Sequence, residues 1–222
     1  MAKAEAREDL FVTGSTKQRI LHTAARLFSE RGFDNVSLRD ITTGADVNIA
    51  AVNYHFGSKV GLLAEVFEHY AAPVNAARLT LLEQCDRKYG DAPPAVEDIL
   101  RALLAPAFYT PANNDEGSYF CQMLGRMSSN ANPDVRRVLF DTFDSVSSRF
   151  VDMMSRACPD LSKEELFWRL NCVYGSMMYA QANNGHIRML TGNAIDSTNL
   201  DDALKYMIPF LTAGCTLPPA KK

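Results

Sequence analysis

The sequence predicts an all-α chain with a small helix-turn-helix unit near its N-terminal end and a larger helical body behind it. Three observations carry that expectation. Apolar residues recur at helical spacing, beginning with Ile20, Ala24, Leu27 and Phe28 at i, i+4, i+7 and i+8. No alternating strand pattern bounded by hairpin dipeptides occurs. Two short helical segments also follow one another across a turn of about three residues, the arrangement whose second helix fits a DNA major groove.

Each element has local signals. Ser15 and Gln18 can form a capping box for the first helix, and Gly32 supplies a left-handed stop. Ser37 opens a second helix carrying Leu38, Ile41 and Ala45, with Asp40 as the acidic partner of the same box. Asp46 follows at the turn, a residue type that tolerates positive φ. Asn48 can cap a third helix, I-A-A-V-N-Y-H-F, which Gly57 breaks before Ser58 caps a fourth. Apolar-periodic segments then lie near 59–72, 74–89, 95–107, 119–129, 134–157, 162–189 and 199–214. Pro73, Gly90 to Pro94, Tyr109 to Ser118, Asn130 to Pro133, Pro159 and Thr191 to Asn199 are the expected breaks.

The segment from Ser162, with Glu165 completing another capping box, carries Phe167, Trp168, Leu170, Val173, Tyr174, Met177, Met178 and Tyr179 on nearly every face. Such a helix must be buried on two sides, one by its own core and the other by a second copy of the chain. Gly175 and Ser176 permit close approach there. With Phe143 and Phe150 on the preceding helix, Trp168, Tyr174 and Met178 are the expected dimer contacts. The organisation read from the pattern is a tail (1–14), a helix-turn-helix domain (15–60), a helical dimerisation domain (61–215) and a C-terminal tail (216–222).

Composition narrows the function. The 222 residues are 47% hydrophobic and 22% charged, an ordinary globular balance. No apolar run is long enough to span a membrane, and Glu5, Glu8 and Asp9 stand where a signal peptide would be basic and then apolar, so a cytoplasmic protein with no membrane partner is expected. Cysteines 85, 121, 158, 172 and 215 show no C-x-x-C, and His22, His55, His69 and His186 show no ligand spacing, so neither a disulfide framework nor a metal site is indicated. The G-x-S-x-G, H-E-x-x-H, P-loop and G-x-G-x-x-G signatures are all absent, which speaks against the common enzyme classes and against a bound cofactor. Net charge is −3, yet residues 15–60 hold six basic side chains against four acidic ones. A mildly basic unit on an acidic body fits a nucleic-acid reader joined to something else.

Within that unit the chemistry is specific. Arg39 can donate twice to guanine, Asn53 can pair with adenine, and the methyls of Ile49, Ala50 and Ala51 suit thymine. Tyr54 and Lys59 can hold phosphates, and Ser58 caps a helix whose free N–H groups form a phosphate site. Each residue also has an ordinary alternative: Arg39 and Asn53 as solvated helix side chains, Tyr54 and Phe56 as packing, His55 as a packed histidine.

Residues 15–63 resemble the TetR family of bacterial transcriptional regulators. The resemblance is carried by R-I-L-H-T-A-A-R-L-F-S-E-R-G-F (19–33), S-L-R-D-I (37–41) and V-N-Y-H-F-G-S-K (52–59). It implies a homodimeric repressor or activator that binds a palindromic site on double-stranded DNA. Arg39, Asn48, Ile49, Ala50, Ala51 and Asn53 would meet bases; Ser37, Tyr54, His55, Ser58 and Lys59 would meet phosphates. Three positions depart from the family pattern: Asn53 where Tyr is common, Asp46 where Gly is common, and Gly44 where Ala is common. A weaker resemblance, through residues 50–59, E-L-F-W-R (165–169) and P-F-L-T-A-G (209–214), is to the PsrA type, members of which respond to fatty acids. It implies a small-molecule effector of acyl type and ligand binding by residues 61–215; the flexible and aromatic side chains Leu103, Leu104, Phe108, Tyr119, Phe120, Met123 and Met127 offer a lining for it, with Arg126 or Arg78 on its head group. A different aromatic or polar metabolite, or a helical binding protein without DNA affinity, are the rival readings.

Overall fold

Ser15 fixes the start of α1 (Thr16–Arg31) by accepting from Gln18 N while Gln18 returns a bond to Ser15 N, and Gly32 closes it at φ 81°. In this computed structural model, residues 15–109, 115–128, 130–182, 189–192 and 200–220 are described; the N-terminal tail, His186, the end of the segment predicted to run to 189 and the side chain of Tyr109 lie outside them. Nine helices occur among the described residues. After α1 come α2 (Leu38–Gly44), α3 (Ile49–Phe56), α4 (Lys59–Tyr89), α5 (Val96–Tyr109), α6 (Asp115–Met127), α7 (Pro133–Ala157), α8 (Lys163–Ala182) and α9 (Leu200–Thr216). None of the described helices is long and apolar enough to cross a membrane.

The expected break at Pro73 is absent, because α4 is continuous through it. A helix-internal proline forfeits one backbone bond, here to the carbonyl of His69. Pro73 and His69 are both exposed, so water can satisfy that carbonyl while Val66, Phe67, Ala71 and Val74 keep the opposite side buried.

The chain divides into two compact units, Met1–Ala71 with Asp115–Thr142 and Ala72–Asn114 with Phe143–Lys222. The first is discontinuous in sequence, whereas the apolar pattern places everything after residue 60 in one second domain. Its core explains the difference. α6 lies along α1; Phe120 meets Phe67 edge-on at 5.5 Å and stacks on Tyr70 at 5.4 Å, and Met123, Leu124 and Met127 are buried. Between α1 and α2 the fit is tight: a Cβ on Gly44 would stand 2.9 Å from the buried Thr23 Cγ2. Gly44→Ala therefore costs about 1–2 kcal/mol by overpacking. Thr23→Ser in the same chain removes the obstructing methyl and returns the loss, as paired urea midpoints will report.

In the second unit, Leu82, Ile99, Leu100, Leu103, Leu104, Phe150, Met153, Met154 and Val173 form the centre of one apolar core. Asp86 ties α4 to α7, accepting from Arg149 Nη2 at 2.6 Å and from Arg156 Nη1, while Arg156 also donates to the Gly90 carbonyl. The bond from Arg156 is the leading reason why the Asp86 carboxyl lies below the usual aspartate range. A carboxylate depressed by folding contributes stability above its unfolded pKa and loses it as pH falls through the folded value. Acid unfolding of Asp86→Asn should thus show a smaller loss of stability below about pH 4 than the parent, from a lower starting point at pH 7.

The expected capping box at α8 has one arm. Ser162 Oγ accepts from Glu165 N at 3.1 Å, but the Glu165 carboxylate binds Arg169 at 2.6 Å and accepts from Ala220 N at 2.9 Å. Arg169 in turn donates to the carbonyls of Cys215, Leu217 and Pro218, fastening the segment after α9 to α8.

One of the expected dimer contacts needs correction. Phe150 is fully buried in its own core. Tyr174 packs edge-on against it at 5.9 Å and donates its hydroxyl to Ser147, while Met178 packs on the same core and Phe143 is half-buried. Trp168, 63% exposed, is the one member of that set presenting most of its surface. The apolar repeat of α7 (Val146, Phe150, Met153, Met154) points inward, and a periodicity does not say what covers it.

Candidate nucleic-acid interface

Asn48 accepts from Ala51 N at 2.9 Å and so starts α3 at a defined residue. Val52 and Phe56 turn inward and are buried, which leaves Asn48, Ile49, Ala50, Asn53 and Tyr54 exposed, with Ala51 and His55 half-buried. Of the predicted base-facing residues, Asn48, Ile49, Ala50 and Asn53 are thus exposed at the start and along α3, whereas Arg39 lies on α2. The turn before it is held by two long bonds: Val47 N donates to Thr42 O at 3.0 Å, and Arg19 Nη2 reaches from α1 to the Asp46 carbonyl at 3.1 Å. Asp46 has φ 51°, the conformation that glycine adopts without penalty.

Most cations of this unit are engaged. Lys17 pairs with Glu65 at 2.7 Å, Arg26 with Glu30 at 3.2 Å and Arg31 with Asp40 at 3.8 Å. Arg39 is exposed on α2; its carbonyl accepts from Thr42 Oγ1 at 3.1 Å, while its guanidinium makes no hydrogen bond or ion pair with any described residue. Lys59 is half-buried, its ammonium 4.2 Å from the centre of the Phe33 ring. Burial pushes its pKa down, against the attraction of Asp34 and Asp40.

Backbone donors add to these side chains. Ser37 caps α2 with Asp40 in a complete box, the Ser37 hydroxyl donating to Asp40 at 2.5 Å. Ser58 Oγ accepts from Gly61 N at 3.0 Å at the start of α4. Tyr54 is 85% exposed and touches only the edge of His55 among described rings. His55 faces differently: it lines a cleft of about 460 Å³ with Phe56, Glu65, Glu68, Val138 and Asp141. Glu65 in that lining is paired with Lys17, and Glu68 and Asp141 keep the cleft acidic.

Two features were not read from the sequence. A Cβ on Gly61 would fall 2.2 Å from the Phe56 carbonyl oxygen, so the last turn of α3 and the first of α4 meet only because residue 61 has no side chain. The signal was present as a glycine one turn after the capping serine in F-G-S-K-V-G. The second is a pair of asparagines, Asn130 and Asn132, bound to Asp34 across almost a hundred residues.

The chain from residue 20 to 66 matches the bacterial regulatory proteins of the tetR family, and residues 101–214 match the Tetracyclin repressor-like, C-terminal domain. This chain belongs to the TetR family. It is 36% identical over 74 residues to the probable HTH-type transcriptional regulator YttP of Bacillus subtilis, a stretch covering 32% of this chain and 36% of that one. The match to YttP thus spans about a third of that relative's length. With the HTH-type transcriptional repressor BdcR of Escherichia coli the identity is 25% over 175 residues, 76% of this chain and 80% of BdcR. The crystal structure of the regulator PfmR from Thermus thermophilus superposes with a TM-score of 0.61 at 19% identity, covering 90% of this chain and 97% of that one. TetR-type architecture is thereby shared along most of the chain.

The predicted effector set is distributed over both units. Leu103, Leu104 and Phe108 belong to the core of the second. Phe120, Met123 and Met127 are buried in the first, where Tyr119 meets His22 at 6.0 Å and Arg126 is exposed. Arg78 is buried in the second unit, donating to the Leu103 carbonyl, Asn75 and the Met177 sulfur.

Proposed function

We propose that this TetR-family regulator is a homodimeric repressor that reads a palindromic operator with α3 and releases it on binding a small, largely apolar effector. The observation that carries the DNA half is the outer side of α3, where Asn48, Ile49, Ala50 and Asn53 stand exposed beside the uncommitted Arg39. Arg39 takes a guanine, Asn53 an adenine, and Ile49, Ala50 and Ala51 approach thymine methyls. Ser37, Tyr54, Ser58 and Lys59 fix register on the phosphates. His55, in its acidic cleft, is left out of that set.

Two substitutions separate these roles. Arg39→Ala should cost about 1–3 kcal/mol per half-site and relax preference at one base pair, whereas Lys59→Ala should weaken all duplexes alike. Footprinting of the DNA upstream of the gene, followed by titration of both variants against single-base changes, checks this. An asymmetric footprint saturated by one chain contradicts the dimeric reading.

For the effector, the supporting observation is the methionine- and leucine-rich core of the second unit, with Met153, Met154 and Met177 among its adaptable members and the buried Arg78 and the half-buried Gln181 as polar points. An acyl chain with a polar head, as in the PsrA type, fits that chemistry. Titration with saturated and unsaturated fatty acids and their coenzyme A esters, following thermal stability and operator binding, tests it. If only a polar metabolite stabilises the protein and frees DNA, the acyl assignment fails and the repressor reading stands.

Dimerisation is assigned to α8 and α9 of the second unit. Phe167 and Trp168 on α8, and Tyr206 and Phe210 on α9, are all more than half exposed in the single chain. Cys172, Gly175 and Tyr179 continue the α8 stripe at i+4, i+7 and i+11 from Trp168. Contiguous apolar surface of this kind marks an interface.

A further inference from the structure

Asp34 lies in the loop between α1 and α2, and its carboxylate is held by residues from the other end of its unit. Oδ2 accepts from Asn130 Nδ2 at 3.0 Å and Oδ1 from Asn132 Nδ2 at 2.7 Å. The oxygens of both amides are also in use. Asn130 Oδ1 accepts from Asn132 N at 2.7 Å, and Asn132 Oδ1 accepts from Asp134 N at 3.0 Å, making Asn132 the cap of α7. Each amide is thereby oriented with its NH₂ towards Asp34, since an amide oxygen accepts and its nitrogen donates. The two bonds, Asn132 first, hold the Asp34 carboxyl below the usual aspartate range.

The same carboxylate has a second potential partner. Lys59, the first residue of α4, rests on the ring of Phe33, the residue next to Asp34. Two acids act on its ammonium, Asp34 first and Asp40 second. Asp40 is engaged by Ser37 N at 2.8 Å, by the Ser37 hydroxyl and by Arg31. Asp34 is exposed, and apart from its own backbone N–H the asparagine pair is what holds its carboxylate.

We propose that Asp34 is a switchable counter-ion for Lys59, kept off it while Asn130 and Asn132 hold the start of α7. The proposal rests on the reading of Lys59 as a phosphate contact. With the clasp closed, the ammonium is offered to DNA. When the start of α7 shifts beyond hydrogen-bond reach, the carboxylate is released, meets Lys59 and cancels that charge. α7 is one continuous helix to Ala157, so a displacement imposed anywhere along it is felt at its cap. The affinity change needs no movement of α3.

The test uses the full chain and a 30-base-pair duplex of arbitrary sequence, with binding followed by fluorescence anisotropy over a range of sodium chloride concentrations. Asn130→Ser with Asn132→Ser keeps an acceptor for the turn and for the α7 cap but removes both donors to Asp34. The slope of log K against log salt should become shallower by about one unit per chain, the worth of one phosphate contact. Adding Asp34→Ala to that pair should restore the slope, because the competing carboxylate is gone. A merely structural role predicts the opposite, no recovery or a further loss. Asp34→Ala alone should leave the slope undiminished, and a shallower slope in that variant overturns the proposal even if the serine pair fails to fold. An unchanged slope in the folded serine pair, or no recovery on adding Asp34→Ala, overturns the proposal. If Lys59→Ala leaves the parent slope unchanged, the phosphate contact itself is wrong, and the switch falls with it for that separate reason.

Discussion

Gly61→Ala should unfold the DNA-reading unit at markedly lower urea concentration than the parent, with a loss of about 2–4 kcal/mol. The obstacle is a backbone carbonyl, that of Phe56, at 2.2 Å from the new methyl. A side chain in that place could rotate away; a carbonyl at the end of α3 cannot move without carrying the helix with it. Gly57, at φ 71°, sits in the same turn but has open space around its absent Cβ. Its substitution therefore costs only the left-handed strain, about 1–2 kcal/mol. The order Gly61 above Gly57 is the decisive comparison. Equal losses would mean that the turn yields as a whole and that the close approach at residue 61 is relieved by small shifts. Because the displaced element is α3, the helix proposed to read the operator, Gly61→Ala should also lose operator binding at temperatures where its fold persists.

Phe210→Glu should convert the protein to monomers at micromolar concentration while leaving the thermal unfolding of the isolated chain nearly unchanged. Phe210 is 75% exposed in the single chain, so a charge there meets water and disturbs no intrachain contact. Against a second copy the same carboxylate would be buried without a partner, a cost that an interface seldom tolerates. Operator affinity should then fall by at least about 100-fold, since the two readers no longer act as one bivalent ligand. Sedimentation velocity and anisotropy on the same samples give both numbers. Retention of the dimer would move the interface away from the Trp168 and Phe210 stripes. A loss of chain stability would show that the exposed phenylalanine has an intrachain role.

What the sequence makes legible here is local. Ser15, Ser37, Asn48 and Ser58 announce their helix starts because capping involves only the next three residues, and Asp46 reveals its turn because few side chains accept positive φ. The exposed side of α3 follows from its short apolar repeat, with Val52 and Phe56 four apart. Long-range facts are not encoded in that way. Nothing near Asp34 foretells Asn130 and Asn132, and nothing near Phe120 says that α6 packs on α1. Phe150 and Phe210 are both phenylalanines on amphipathic helices. Which of them is covered by its own chain depends on where neighbouring helices fall.

The ion pairs within the DNA-reading unit have a further consequence, for the search for a site on a chromosome. Among the described residues of 15–60, Lys17, Arg26 and Arg31 are matched to carboxylates, which leaves Arg19, Arg39 and Lys59 to displace counter-ions from DNA. Binding to arbitrary sequence draws almost entirely on such displacement. A protein of this kind lingers little on the genome between operators and depends on matched bases for its residence. Its occupancy is accordingly buffered against osmotic changes in internal salt that would strip a more cationic regulator from its site, and the copies not on an operator stay largely in solution, where an effector can reach them.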